Sequence, residues 1–423
     1  MAFSFIHTGD IHLDSPLTDL SSMNDPRAAK VAGAARRAFS DLIGIAIERS
    51  VDAVFIAGDL WDGDWRDLSA GLFLQEEAAR LKAHGIALVA ILGNHDAQSV
   101  VTSRIKHLDA VTLLSADAPQ SVDIGGAVVH GQSYDRPDVQ ANLAASYPDP
   151  YPGRINIGLL HTGLDGGLGH SPYAPARLDD LVAKRYDYWA LGHVHTRAIL
   201  QDGPAAAGGT IAFCGVLQGR HARETGAKGA WHGAIDAGGV TLTPIDLPHV
   251  AWFVETVDVS SSSAEEAMAQ ALEACAATLS PALDLAVVRL VLKGESEDHT
   301  HLSFTVNELD ELARQKASGI DPRFLIERVV VATSPPSDQA PPTLPHDFDG
   351  VLTEAGRSEA VREKASAELA DVRAALPPQV SRALRERHPD IAALLDGEGD
   401  LAPALEAAAQ AVTARLKDRM GEA

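Results

Sequence analysis

The sequence predicts an α/β domain with parallel strand pairing, followed by a small α+β unit and a helical tail. Three observations predict it. Apolar strand-like runs alternate with long helical patterns through the first hundred residues. Each run ends in a polar cluster, as ligand-binding residues do beyond the carboxyl ends of parallel strands. The character then changes at Ala251, and again at a stretch holding Pro335, Pro336, Pro341, Pro342 and Pro345.

Taken in order, Phe3–Thr8 alternates and runs into Gly9-Asp10-Ile11-His12. Residues at i and i+2 of extended backbone share a side, so Asp10 and His12 can face one point. A single helical pattern covers about Arg27 to Arg49. The run Asp52–Ala57 closes on Gly58-Asp59, and a helix over roughly Leu68 to His84 leads to Ile86–Leu92 and Gly93-Asn94-His95-Asp96. Shorter strands are expected at Val111–Leu114 and Val122–His130, then Ile155–Leu160 ending on His161. A short helix near Ala176–Lys184 precedes Tyr186–Leu191, which ends in Gly192-His193-Val194-His195. Further β-type runs lie at Thr210–Cys214 and Ala230–Ile245.

Beyond Ala251, strands at Val254–Val259, Leu285–Leu292 and Phe324–Ala332 alternate with helices at Ser263–Thr278 and Val306–Lys316. Four segments result: residues 1–249, an α+β unit at 250–333, a Pro-rich linker at 334–349 and a helical region at 350–423.

The totals fit a folded protein of about two or three domains. With 46% hydrophobic residues the chain holds no apolar run long enough for a bilayer span. Cys214 and Cys275 lie far apart with no CxxC, which points to a reducing cytoplasmic compartment. A strand opening at Phe3 leaves no room for a cleavable signal. The formal net charge of −23 argues against a broad basic footprint for nucleic acid, so any such contact needs a local patch, metal ions or a partner.

Five strand ends supply Asp10, His12, Asp59, Asn94, His95, His161, His193 and His195. Each has a plainer reading alone: Asp10 or Asp59 as a helix cap, Asn94 as a turn residue, His161 as a structural imidazole. Their joint placement is what defeats those readings. The set is mixed oxygen and nitrogen without thiolate, suited to manganese, iron or zinc, and too large for one metal. A carboxylate shared between two metals fits phosphate-ester hydrolysis, where such a pair polarises the phosphoryl group and activates water.

The order D-x-H, GD, GNHD, H, GHxH over Phe3 to Arg197 resembles the calcineurin-like metallophosphoesterases. That resemblance implies a β-sandwich flanked by helices, and two divalent metals. One would be held by Asp10, His12, Asp59 and His195, the other by Asp59, Asn94, His161 and His193. His95 would then be the transition-state stabiliser and proton donor. The stretch Gly215–Gly229, GVLQGRHARETGAKG, is similar to that of SbcD-type DNA repair exonucleases, particularly their YhaO-like branch. This implies a manganese-dependent DNA nuclease with a capping domain at 250–333. It further implies homodimers and an SMC-type (SbcC-like) coiled-coil ATPase partner contacted by the C-terminal helices. An independently packed helical bundle is the plainer reading of that tail.

The sequence departs from the pattern at Asp62, where the better-studied nucleases carry a histidine. Arg197, Arg220, Arg223 and Lys228 are the basic residues near the motifs that would contact phosphate, and each reads equally well as part of an ordinary salt-bridged or solvated loop. Two other functions compete: a phosphodiesterase or phosphomonoesterase on a small nucleotide ester, and an idle scaffold regulating an ATPase. The complete ligand set argues against the second.

Overall fold

The computed structural model describes residues 3–15, 25–62, 69–97, 110–164, 173–247 and 249–336, with 354–355, 357–375, 384–385, 388–397, 399–409 and 412 beyond them. Most of the Pro-rich linker, residues 337–349, therefore lies outside the described residues. The chain divides into two compact units, Met1–Ser334 and Pro335–Ala423.

The first unit is built on two six-stranded sheets. In the first sheet β1 (Phe3–Thr8), β2 (Ala53–Ala57), β3 (Ala87–Ile91) and β4 (Thr112–Leu113) run parallel. The antiparallel pair β11 (Gly229–Asp236) and β12 (Gly239–Asp246) extends it beyond β1. In the second, β6 (Ala127–Gly131), β7 (Ile155–His161), β8 (Tyr188–Gly192) and β10 (Thr210–Phe213) are parallel. They are flanked by antiparallel β5 (Gln120–Ile124) and β9 (Ala198–Gln201). The expected strands are present, and β9, at four residues too short to stand out in the sequence, is added.

Alternation along each strand explains the layering. Phe5, Phe55, Val89 and Ile91 face Ile157, Leu159, Tyr188 and Ala190 in the core between the sheets. Val54, Ile56 and Leu88 point the other way, against the helices α1 (Arg27–Ala32), α2 (Ala34–Glu48) and α3 (Ser69–Ala83). On the far side Trp189, Leu191 and Phe213 pack on Tyr147 and on Leu181 of α5 (Leu178–Lys184), while the short α4 (Asn94–Ala97) follows β3. Both faces of each sheet are thus covered, which is why the strands read as unbroken apolar runs. His7, given no role by its motif-free setting, crosses this core. Its Nδ1 lies 2.7 Å from the Tyr188 hydroxyl and its Nε2 3.2 Å from the Leu191 carbonyl. The single helix expected from Arg27 to Arg49 is interrupted at Gly33, a residue with low helix propensity.

A third sheet, β13 (Val250–Asp258), β14 (Leu285–Glu295) and β15 (Phe324–Ser334), is wholly parallel. Its first strand starts at Val250, four residues before the sequence suggested. The crossovers run through α6 (Ala264–Thr278), α7 (His299–Phe304) and α8 (Val306–Ile320), which cover one face. Ser263 caps α6 in a reciprocal box with Glu266. The other face meets the first domain: Trp252, Val250, Leu285 and Val287 bury against Val31, Ala34 and Ala222. His249 spans the same seam, with Nε2 2.8 Å from Asp41 and Nδ1 3.1 Å from Asp284.

The second unit contains α9 (Glu359–Ala375) and α10 (Pro389–Leu395), tied by Arg373 and Arg385 to Asp396. It is helical where described, as expected. Among the described residues no helix is long and apolar enough to cross a membrane.

Candidate metal centre

The loops after β1, β2, β3, β7 and β8 meet at the carboxyl ends of the two central sheets. Those after β1 and β2 are zipped together: Asp10 N donates to Gly58 O, Ile11 N and His12 N to Asp59 O, and Leu13 N to Leu60 O, all at 2.8–3.0 Å. Asp10, His12, Asp59 and His193 all have positive φ, at 47°, 47°, 52° and 94°. Left-handed backbone is costly for such residues and is held only where the surroundings over-determine it, as functional sites do. Gly192 must be glycine, since a Cβ there would sit 2.1 Å from the Ala57 carbonyl oxygen.

These loops aim two sets of donors inward. Asp10, His12 and His195 form one group, and Asp59, His161 and His193 another. The Asp59 carboxylate lies between them: its Oδ2 is 3.8 Å from His12 Nε2 and 3.5 Å from His161 Nε2, while Oδ1 accepts the His95 N–H at 3.0 Å. Asp10 accepts the His193 N–H at 2.9 Å and faces His195 Nε2 at 3.8 Å. Asn94 presents Oδ1 3.0 Å from His161 Nε2. His95 stands edge-on to His12, their ring centroids 4.9 Å apart.

The tautomers follow from what the outer ring nitrogens meet. His161 donates Nδ1–H to Ala57 O at 2.9 Å, and His195 donates Nδ1–H to Glu224 at 2.6 Å. His12 donates Nδ1–H to Asp62 at 2.7 Å. Each Nε2 is then a lone-pair nitrogen directed inward. His12 Nε2 is buried with no hydrogen-bond partner. With this tautomer His161 Nε2 faces two oxygens, Asn94 Oδ1 at 3.0 Å and Asp59 Oδ2 at 3.5 Å, a contact of acceptors that a bound cation would relieve. The donor set therefore fits divalent metal.

The charges agree. Burial pushes His161 down to about 3. Burial, aided by the Arg220 charge, takes His12 to about 4, so both rings are neutral. Burial raises Asp10, with the Asp59 charge adding to it. Burial would raise Asp62 too, but hydrogen bonds from His12 and His95 hold it well below the usual carboxylate range. That same bond raises the proton affinity of His95. Burial also opposes ionisation of Glu224, yet its bond from His195 and the Arg220 charge keep it anionic.

Three residues not singled out by the sequence complete the site. Glu224 is 4% exposed and accepts from both His195 Nδ1 and the Arg220 N–H, the latter at 2.7 Å. Its signal was an acidic residue inside an otherwise basic stretch. Asp62, noted only as a departure, joins His12 and His95, and lies 3.6 Å from Arg220. Asp96 accepts N–H groups from Leu60, Trp61 and Gly93 at 2.8–3.1 Å and so clips the second and third loops together.

The basic residues separate. Arg220 is at the centre through Asp62, Glu224 and Ser15. Arg223 is exposed on the same loop, and Lys228 is half-buried further along it. Arg197 is occupied elsewhere: it pairs with Asp246 at 2.6 Å, donates to the Ala230 and Ile245 carbonyls and lies over Trp231. It holds β11 and β12 in place rather than standing ready for phosphate.

Comparison with known proteins agrees with this geometry. Residues 3–197 match the calcineurin-like phosphoesterase family, and residues 252–334 match the middle domain of metallophosphoesterase YhaO. The metallophosphoesterase YhaO of Bacillus subtilis (strain 168) is 33% identical over 330 residues, covering 76% of this chain and 79% of that protein. The chain belongs to the calcineurin-like metallophosphoesterase family. The DNA double-strand break repair protein Mre11 of Sulfurisphaera tokodaii is 32% identical over 173 residues, 38% of this chain and 43% of that protein. That of Methanopyrus kandleri is 27% identical over 294 residues, 62% and 60% respectively.

The metallophosphoesterase is thus a hydrolase of phosphoester bonds with a dinuclear divalent metal site. Because Glu224 fixes the tautomer of His195, Glu224→Gln is expected to weaken metal binding about 10- to 100-fold, read by equilibrium dialysis. The metal-free protein should also lose stability on acidification. His7 (about 3), His12 and His161 have folded pKa values below the ordinary 6.5, so unfolding takes up their protons. That stability is present above about 6.5 and is lost as pH falls towards 4. Asp10 and Asp96, both shifted upward by burial, work in the opposite sense and offset two of the three. His95 and His195, both raised, titrate above this window. The net slope is on the order of 1 kcal/mol per pH unit, visible as a falling Tm between pH 6 and 5.

Proposed function

We propose that this metallophosphoesterase is a manganese-dependent DNA nuclease, hydrolysing phosphodiesters near duplex ends. The observation that carries the reading is the path of residues 215–229. One end of this stretch bonds the third-sheet domain, through Gln218 to Val250 O and Gly219 O from Trp252 Nε1 at 3.0 Å. Five to six residues on, Glu224 orients His195. A small ester needs no such extension beside the centre, whereas a polymer does. The oxygen and nitrogen donors without thiolate suit manganese as they suit iron or zinc, and the Mre11 relatives are DNA repair proteins by name.

Asp10, His12, Asp59 and His195 would hold one metal, and Asp59, Asn94, His161 and His193 the other. When bound, the pair supplies Lewis acidity and an activated water for in-line displacement. The chain's own residues do the rest. His95, with Nδ1 3.1 Å from Asp62, keeps its Nε2 edge for the leaving oxygen and donates a proton there. Asp62 sustains the protonated form of that ring. Arg220 and Arg223 contact phosphate along the loop that leads to the third sheet.

The test is manganese-dependent cleavage of end-labelled duplex and circular single-stranded DNA, native against His95→Ala. Intact DNA alongside cleavage of bis-p-nitrophenyl phosphate would sink the nuclease reading in favour of a small-ester phosphodiesterase. We further propose that it acts in the cytoplasm as a homodimer with an SMC-type coiled-coil ATPase bound to residues 350–423. Exposed Val361, Val372 and Ile391 on that unit's helices support this. Truncation after Pro345 should abolish ATPase co-purification; unchanged binding removes the tail from the interface.

A further inference from the structure

Eight described non-glycine residues have positive φ, and four of them are Asp10, His12, Asp59 and His193 of the metal centre. Ala174 is another, at φ 39° and fully buried. Alanine has no polar side chain to compensate a left-handed backbone, so the surroundings must hold it there. They do so on both sides: Ala174 N donates to Val139 O at 2.7 Å, Thr162 Oγ1 donates to Ala174 O at 2.8 Å, and Gly163 N donates to Tyr173 O at 2.8 Å. Thr162 and Gly163 directly follow His161. The strained turn is therefore bolted to the strand end that carries a metal ligand.

What the turn positions is Tyr173. Its ring stands edge-on to His193, centroids 5.6 Å apart at 78°, and is only partly buried. Ring contacts around the centre fall into two groups, His95–His12–His195 and Tyr134–His161–His193–Tyr173. His95, the donor to the leaving oxygen, belongs to the first. Tyr173 belongs to the second, next to the ligands of the other metal. Tyr134 is buried and spends its hydroxyl on His161 O at 2.8 Å, which makes it structural. Tyr173 has no such bond among the described residues.

The geometry points to Tyr173 as a specificity-determining residue: an aromatic platform that stacks on the nucleobase of the nucleoside retaining the scissile phosphate. Aromatic side chains stack on any base, which suits an enzyme that must process DNA without regard to sequence. The inference rests on the nucleotide reading of this centre, and it adds which side of the phosphate is recognised and by what. A rigid turn is what such a platform requires, because a stacking contact is lost when the ring can swing.

The manganese-loaded full chain is assayed on two esters with the same leaving group, thymidine 5′-p-nitrophenyl phosphate and methyl p-nitrophenyl phosphate. The native protein should favour the thymidine ester about 5- to 100-fold in kcat/KM, the range expected of one base stack. Tyr173→Ala should bring that ratio close to one, the loss falling on KM for the thymidine ester. Tyr173→Phe should keep the ratio, which also controls for folding. A ratio retained in Tyr173→Ala, including a parallel fall on both esters, overturns the proposal, as does a native ratio near one. The two readings fail separately. Duplex DNA left intact with a Tyr173-dependent ratio removes the nuclease and keeps the platform; cleaved DNA with no ratio does the reverse.

Discussion

Asp59→Asn is expected to leave the protein folded and strip it of both metals. Asparagine retains an oxygen for the His95 N–H, so the loop survives. It removes the anionic Oδ2 that faces His12 on one side and His161 on the other. Lewis-acid and water-activating contributions amount to several kcal/mol, so hydrolysis of bis-p-nitrophenyl phosphate should fall by about 10³- to 10⁴-fold. A second signature has the opposite sign. The Asp59 charge raises the pKa of both Asp10 and Asp96, a like-charge repulsion that metal would relieve. Without metal the variant should therefore melt at a higher temperature than the native protein. Metal analysis after dialysis and a pair of melting curves read both effects. One metal retained per chain would show that Asp59 is not shared.

His95→Ala should act on the chemistry alone. The side chain is 45% exposed and meets Asp62 through Nδ1, while no metal-facing nitrogen of the other histidines depends on it. Metal content should be unchanged. General-acid contributions of about 10²- to 10⁴-fold set the expected loss of kcat on DNA, whose alkoxide leaving group needs a proton. On p-nitrophenyl esters, whose leaving group is stable as the anion, the loss should be much smaller. Equal losses on both substrates would remove the proton-donor role and leave His95 as an electrostatic contact only.

The two halves of the centre differed in how legible they were. Asp10, His12, Asp59, Asn94, His95, His161, His193 and His195 stood out because parallel strands place ligands at a fixed point, just beyond an apolar run, and the run is readable. The residues that orient them were harder. Glu224 lies in a loop and reaches His195 across 29 positions, and Asp62 reaches His12 across 50. No periodicity records such contacts. Arg197 is the converse case: two positions after His195 it reads equally as a phosphate contact or as a salt-bridged loop residue, and the partner that decides between them is Asp246 on β12, 49 residues away.

The fold followed the same division. Buried strands with covered faces were plain, whereas β9 and the first four residues of β13 were not. Val250 and Trp252 are strand residues by virtue of packing on α1 and α2, a tertiary cause that local pattern does not carry. The break at Gly33 was missed because the apolar spacing continues through it, while backbone propensity does not.

The sharing of Asp59 between two metals is the claim on which the rest depends, and anomalous scattering from manganese-grown crystals tests it most directly. The geometry predicts two peaks flanking the Asp59 carboxylate, one beside Asp10, His12 and His195, the other beside Asn94, His161 and His193. A single fully occupied peak, or two with Asp59 touching only one of them, would contradict it.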